Sequence, residues 1–126
     1  MRRRTVLAAA MFVAAATPAL AEPPPLPGVY ECMDQRGTAN PLFMFGLLDG
    51  STYANWDGKT GHYIYDAVSR VVTMVDGPFQ GARYRRGPSP DPARGADNLR
   101  LLNDAGQMTA MNCPHNHVKD AHRRPW

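Results

Sequence analysis

The sequence predicts an all-β domain: a small antiparallel meander, closed barrel or sandwich of about eight short strands, with one disulfide. Three observations predict it. Short apolar and aromatic runs are separated by turn steps, namely Asp49-Gly50, Asp57-Gly58, Gly77-Pro78 and Asn103-Asp104-Ala105-Gly106. No sustained 3.6-residue periodicity follows Ala21. The two cysteines, Cys32 and Cys113, lie near the two ends of the strand-bearing stretch. An even number of strands in up-and-down order brings the first and last together, and there the cysteines would meet. Bridged α-carbons have to lie within about 7 Å, so strand count and cysteine placement point to the same closure.

Residues 1–21 read as an export signal. Arg2, Arg3 and Arg4 precede an apolar run, Pro18 breaks it, and Ala19-Leu20-Ala21 supplies an Ala-x-Ala cleavage site. The run is shorter than the roughly 20 apolar residues of a spanning helix. Cleavage near Ala21 leaves a mature chain starting at Glu22, with no transmembrane segment. The order Arg3-Arg4-Thr5-Val6-Leu7 loosely resembles a twin-arginine signal, and a general secretory signal has the same features. The pattern looks bacterial, so the expected destination is the periplasm or the medium. In such an oxidising compartment an even cysteine pair reads as a disulfide.

Arg2, Arg3 and Arg4 are three of the 14 basic residues, so from Glu22 onward 11 basic groups face 11 acidic ones. A nucleic-acid binder needs a basic surplus on its mature surface. That class is excluded.

Residues 22–27, Glu-Pro-Pro-Pro-Leu-Pro, predict an extended spacer. The β-domain is expected over 28–114. Its first strand is 28–33, with Tyr30 and Cys32 on one face. The apolar stretch 41–48 is either a strand buried on both sides or a short helical piece. Strands are expected at 51–56, 61–66, 71–76 and 82–86. Residues 87–96 hold Pro88, Pro90, Pro92 and Gly95 and predict an exposed loop. A final hairpin spans 98–102 and 107–113. A polar His/Arg tail fills 115–126.

The central hairpin resembles a motif of small exported bacterial proteins of unknown function. Gly61-x-Tyr63-x-Tyr65-Asp66 is followed by Val71-Val72-Thr73 and by Asp76-Gly77-Pro78-Phe79-x-Gly81-x-x-Tyr84. In those proteins a glycine usually occupies the turn that Val68-Ser69-Arg70 fills here. The resemblance implies a β fold and no activity.

Three groups of residues are candidates for function. Tyr53, Trp56, Tyr63, Tyr65 and Tyr84 are either core rings or an exposed patch for a ligand or partner. Arg83 and Arg85 share a strand face beside them and could grip a carboxylate or phosphate. His115, His117 and His122 could bind a transition metal such as copper, nickel or zinc. No other cofactor is expected. His62 could serve as a general base beside Asp66 or Asp76. However, Ser51, Ser69 and Ser89 lack a nucleophile-elbow context, and aspartates at turns usually bond their own backbone. The leading expectation is therefore a non-catalytic binding module whose partner is a protein or small ligand of the cell envelope. Metal binding by the tail and a small secreted enzyme are the alternatives, and no catalytic residue is assigned.

Overall fold

Eight strands run round a closed antiparallel barrel in sequence order, the last pairing with the first. The computed structural model describes residues 22–126, and the export signal read in 1–21 lies outside the described residues. The strands are β1 (Gly28–Tyr30), β2 (Phe45–Leu47), β3 (Thr52–Asn55), β4 (Thr60–Asp66), β5 (Val71–Met74), β6 (Arg83–Pro88), β7 (Asp97–Leu102) and β8 (Met108–Asn116). The ambiguous apolar stretch resolves into both alternatives. A 3-10 turn, Pro41–Phe43, is capped by Asn40, whose side chain accepts from the Leu42 N–H at 3.1 Å, and β2 follows. Among the described residues no helix is long and apolar enough to cross a membrane.

Turn chemistry sets the register. Asp49 Oδ1 accepts from the backbone N–H groups of Ser51 and Thr52, both at 2.7 Å, and so holds the β2–β3 turn. In the β4–β5 turn Arg70 adopts φ 60°, a left-handed conformation that glycine takes without steric cost. Its guanidinium is held by Glu22, with hydrogen bonds of 3.1 Å from Nε and 2.9 Å from Nη2.

Alternation then fills the barrel. Tyr30, Phe45, Leu47, Tyr53, Tyr63, Val72, Met74, Tyr84 and Leu99 point inward with both cysteines. The rings interlock. Tyr30 stacks on Phe45 at 5.5 Å, and Phe45 meets Tyr84 at 5.1 Å. Each such ring contributes roughly 1.5–3 kcal/mol by leaving water. The interior is a packed core rather than a ligand chamber.

Closure occurs at the β1–β8 seam. Glu31 N–H donates to Pro114 O at 3.0 Å, and Met33 and Asn112 exchange backbone bonds of 2.7 and 3.1 Å. Cys32 and Cys113, 81 residues apart, face each other between these pairs and are bonded. That is a non-hydrogen-bonded position, where opposed side chains come closest.

Both chain ends are used structurally. β8 passes through Pro114 to Asn116, so His115 and Asn116 belong to a strand rather than to a tail. Residues after it fold over the outside of β1 and β2, where Ala121 and Trp126 pack on Val29, Met44 and Leu48. Gly46 makes room for them, since a Cβ there would lie 2.8 Å from the Ala121 methyl and 2.9 Å from the Trp126 ring. The expected spacer is likewise laid across one mouth of the barrel. Pro25 is fully buried, Tyr30 O–H donates to Leu26 O at 2.8 Å, and Leu26 N–H donates to Asp97 at 3.3 Å. Prolines without N–H groups suit this strap, because few of its backbone donors need partners.

Candidate anion-binding face

The tyrosines and the arginines expected to form one patch lie on opposite sides of the sheet. Tyr53, Tyr63 and Tyr84 are core residues. Tyr53 O–H donates to Asp76 O at 2.7 Å and accepts from Phe79 N–H at 2.9 Å, and Tyr63 O–H donates to Asp49 O. Burial pushes the Tyr63 phenol up to about 12 and the Tyr84 phenol up as well. Tyr65 is half-buried at the strap. Its O–H donates to the Glu22 carboxylate at 2.7 Å, and the Arg86 guanidinium sits 5.5 Å from its ring centroid. Trp56 is half-buried and follows β3 into the next turn. None of the strand tyrosines is left as an open aromatic surface.

Alternation sends Arg83 and Arg85 to the outside of β6, since Tyr84 between them points in. The β6–β7 register places Arg100 directly opposite Arg85. Directly opposed residues have Cβ atoms about 5 Å apart, and like charges there are destabilising. Among the described residues none of these three guanidiniums takes part in an ion pair. Arg83 leans on the β7–β8 turn, donating to Asn103 O and Asp104 O, both at 3.3 Å. Arg100 Nε donates to Asn112 Oδ1 at 2.9 Å, and Asn98 donates to the same oxygen at 3.0 Å. The Arg85 side chain is exposed and has no hydrogen-bond partner among the described residues.

Arg85 forms a ridge between two grooves. One, of about 380 Å³, runs past Arg83, Thr73 and Ile64. The other, of about 260 Å³, runs past Arg100, Asn98 and Met108. Ile64 is 60% exposed and Met108 54%, so apolar side chains flank the cations. Asp66 lines the first groove, but its carboxylate accepts from the Val68 N–H at 2.9 Å. Hydrogen bonds from the backbone of Val68 and from Ser69 hold it below the usual carboxylate range.

Arg86, next in sequence, turns inward instead. Its Nε donates to Asp97 at 2.8 Å in an ion pair that is about nine-tenths buried on both sides. Burial disfavours its charge, and the hydrogen bonds it donates to Asp97 and to the Tyr65 hydroxyl more than restore it, raising its pKa. This arginine locks the strap, donating to Pro23 O at 2.6 Å.

The tail histidines separate. His115 points into the barrel end, where its Nε2 lies 3.1 Å from Pro27 O and its ring 5.1 Å from Tyr30. A carbonyl only accepts, so Nε2 carries the proton. His117 Nδ1 bonds Arg94 O, and His122 Nε2 lies 3.2 Å from Leu48 O. Among the described residues no group of three or more His, Cys, Asp or Glu side chains is placed to hold a metal. His62 pairs with Asp76, its Nδ1 3.0 and 3.1 Å from the two oxygens, while Asp66 stays in its own turn. Both groups of that pair are exposed.

Arg100 is the member of this face that sequence reasoning missed. The period-two pattern Asn98-x-Arg100 marked an outward row on β7, but its position opposite Arg85 depends on a register set by the long β6–β7 loop. Comparison with family models, with curated proteins and with solved structures finds no match.

Proposed function

We propose that this protein is an exported, non-catalytic binding module that holds a phosphate-bearing ligand on the outer face of β6 and β7. The observation that carries the reading is the unneutralised trio Arg83, Arg85 and Arg100, with Arg85 and Arg100 directly opposed. A guanidinium fork matches an oxyanion bidentately, and a ligand that bridges opposed cations offsets their repulsion. A phosphomonoester brings nearly two negative charges and three acceptor oxygens, against one charge and two oxygens for a carboxylate. The grooves on either side, with Ile64 and Met108, suit an apolar body attached to the phosphate. The disulfide and the absence of a membrane-spanning helix among the described residues are compatible with a periplasmic or extracellular setting.

Calorimetric titration with phenyl phosphate, inorganic phosphate and acetate tests the reading. Phenyl phosphate is expected to bind tightest, inorganic phosphate next and acetate weakest. The double variant Arg85→Gln/Arg100→Gln should weaken phenyl phosphate at least about tenfold, or 1.4 kcal/mol. The variant Arg123→Gln/Arg124→Gln changes net charge equally and should leave binding intact. Vesicles of phosphatidylcholine with and without phosphatidic acid separate a lipid source of the phosphate from a soluble one. Equal binding of acetate and phosphate, or equal losses in the two double variants, overturns the proposal.

A further inference from the structure

Two strands further round the barrel, the outer face of the β1–β8 seam carries a second, chemically opposite cleft. Glu31 points outward from the end of β1, and alternation alone would leave it in water. Instead it is 8% exposed, because the β6–β7 loop and the residues after β8 close over it. The carboxylate lines a cleft of about 160 Å³ whose walls include Met33, Pro90 and Pro114. One direct hydrogen bond reaches it among the described residues, from Asn116 Nδ2. Two cations of the chain stand further off. Lys119 Nζ is 3.6 Å and Arg94 Nη2 3.9 Å from Glu31 Oε1. Both distances exceed hydrogen-bond reach.

A carboxylate offers about four lone-pair sites. Burial with one direct donor leaves it short of partners, and a buried charge is costly until they are supplied. The same cleft is lined by His115, itself 96% buried by its 4% exposure. Its Nδ1 has no hydrogen-bond partner. With the proton on Nε2 that nitrogen is an acceptor, but it is closed off behind Gly95 and does not face the cleft. A Cβ on Gly95 would come within 2.9 Å of it, so the loop lies directly against the ring. The cleft is thus small and apolar-walled, with the Glu31 carboxylate as the acceptor it offers.

We infer that this cleft binds a small organic cation with N–H donors, a primary ammonium or a guanidinium, on Glu31. The ligand's N–H groups take the open carboxylate positions at direct distance. Its short apolar portion lies against Met33, Pro90 and Pro114. Lys119 and Arg94, which hold the carboxylate only at arm's length, are displaced toward solvent, and both side chains are already partly exposed. The volume admits a group of a few heavy atoms, well below drug-sized pockets. The inference stands independently of the phosphate reading, since no residue is shared between the two sites.

The test is an amide-resolved NMR titration of the oxidised, full-length mature chain with butylammonium and with methylguanidinium. Tetramethylammonium, a cation without N–H donors, is the control. Saturable shifts are expected at Glu31, Arg94 and Asn116 with the first two probes and not with the third. Glu31→Gln should weaken binding at least about tenfold, which is 1.4 kcal/mol. Because that variant could loosen the tail, Lys119→Met supplies a gain of function: removing the competing cation should tighten binding several-fold. Equal response to tetramethylammonium, unchanged affinity in Glu31→Gln, or no tightening in Lys119→Met overturns the inference.

Discussion

The outer surface of the barrel is treated in two ways. Over β1, β2 and β8 it is covered: the tail docks Ala121 and Trp126 there, and the β6–β7 loop closes over Glu31. Over β4, β5, β6 and β7 it is bare, with Ile64, Arg83 and Arg85 facing solvent. At β1 and β2 the cover coincides with short strands, although β8 beneath it has nine residues. β1 and β2 have three residues each, whereas β6 and β7 have six. Short strands bury little by themselves, and extra cover over them adds apolar area. β6 and β7 carry no such cover, so their outward side chains are free for other uses.

The largest expected effect lies at the covered seam. Replacing Cys32 and Cys113 together by Ser should lower unfolding stability by up to about 4–5 kcal/mol, the chain-entropy figure for so long a loop. Urea denaturation measures it. A loss under about 1 kcal/mol would mean that strand pairing holds the seam without the covalent bond.

A smaller effect tests the cover itself. Gly46→Val adds a residue that favours strands, yet its Cβ would meet Ala121 and Trp126 below 3 Å. A cost of about 1–3 kcal/mol is expected from overpacking. Thr73→Val on the bare face should stay within about 0.5 kcal/mol. Equal melting temperatures for the two variants would erase the distinction between the faces.

The smallest effect is a slope with pH. Burial holds the His115 pKa below its ordinary value, so the folded ring stays neutral where the unfolded one already binds a proton. Stability therefore falls as pH drops through about 6.5, the unfolded value, and levels off below the folded-state pKa. His115→Gln should flatten that part of the profile, read from urea midpoints between pH 8 and pH 5. An identical slope in both proteins would remove His115 as its source.

Much of the covered face and the strap was illegible from sequence, and the reason is physical. The strands and the disulfide rest on local signals: aspartate and glycine at turns, period-two alternation, and a cysteine pair at the two ends. The strap and the tail carry no period, so nothing local says that Pro25 is buried or that Trp126 meets Gly46. Arg83 and Arg85 were legible as a shared face, while Arg100 depended on cross-strand register. Glu31 reads as a solvent-facing strand residue, because the loop that buries it lies some 60 positions away, between Ser89 and Arg94. Tyr53, Tyr63 and Tyr84 could be placed on a sheet, but which side became the interior follows from closure.

The pairing of β8 with β1 also bears on how the chain reaches this state. The first strand to emerge cannot complete its ladder until the last has been made. Contacts of such wide sequence separation require loop-closure entropy to be lost before they form, and they slow folding. A partly synthesised chain therefore has no finished barrel to resist unfolding. The final lock, Cys32 to Cys113, can be set only once both end strands have been made and have met.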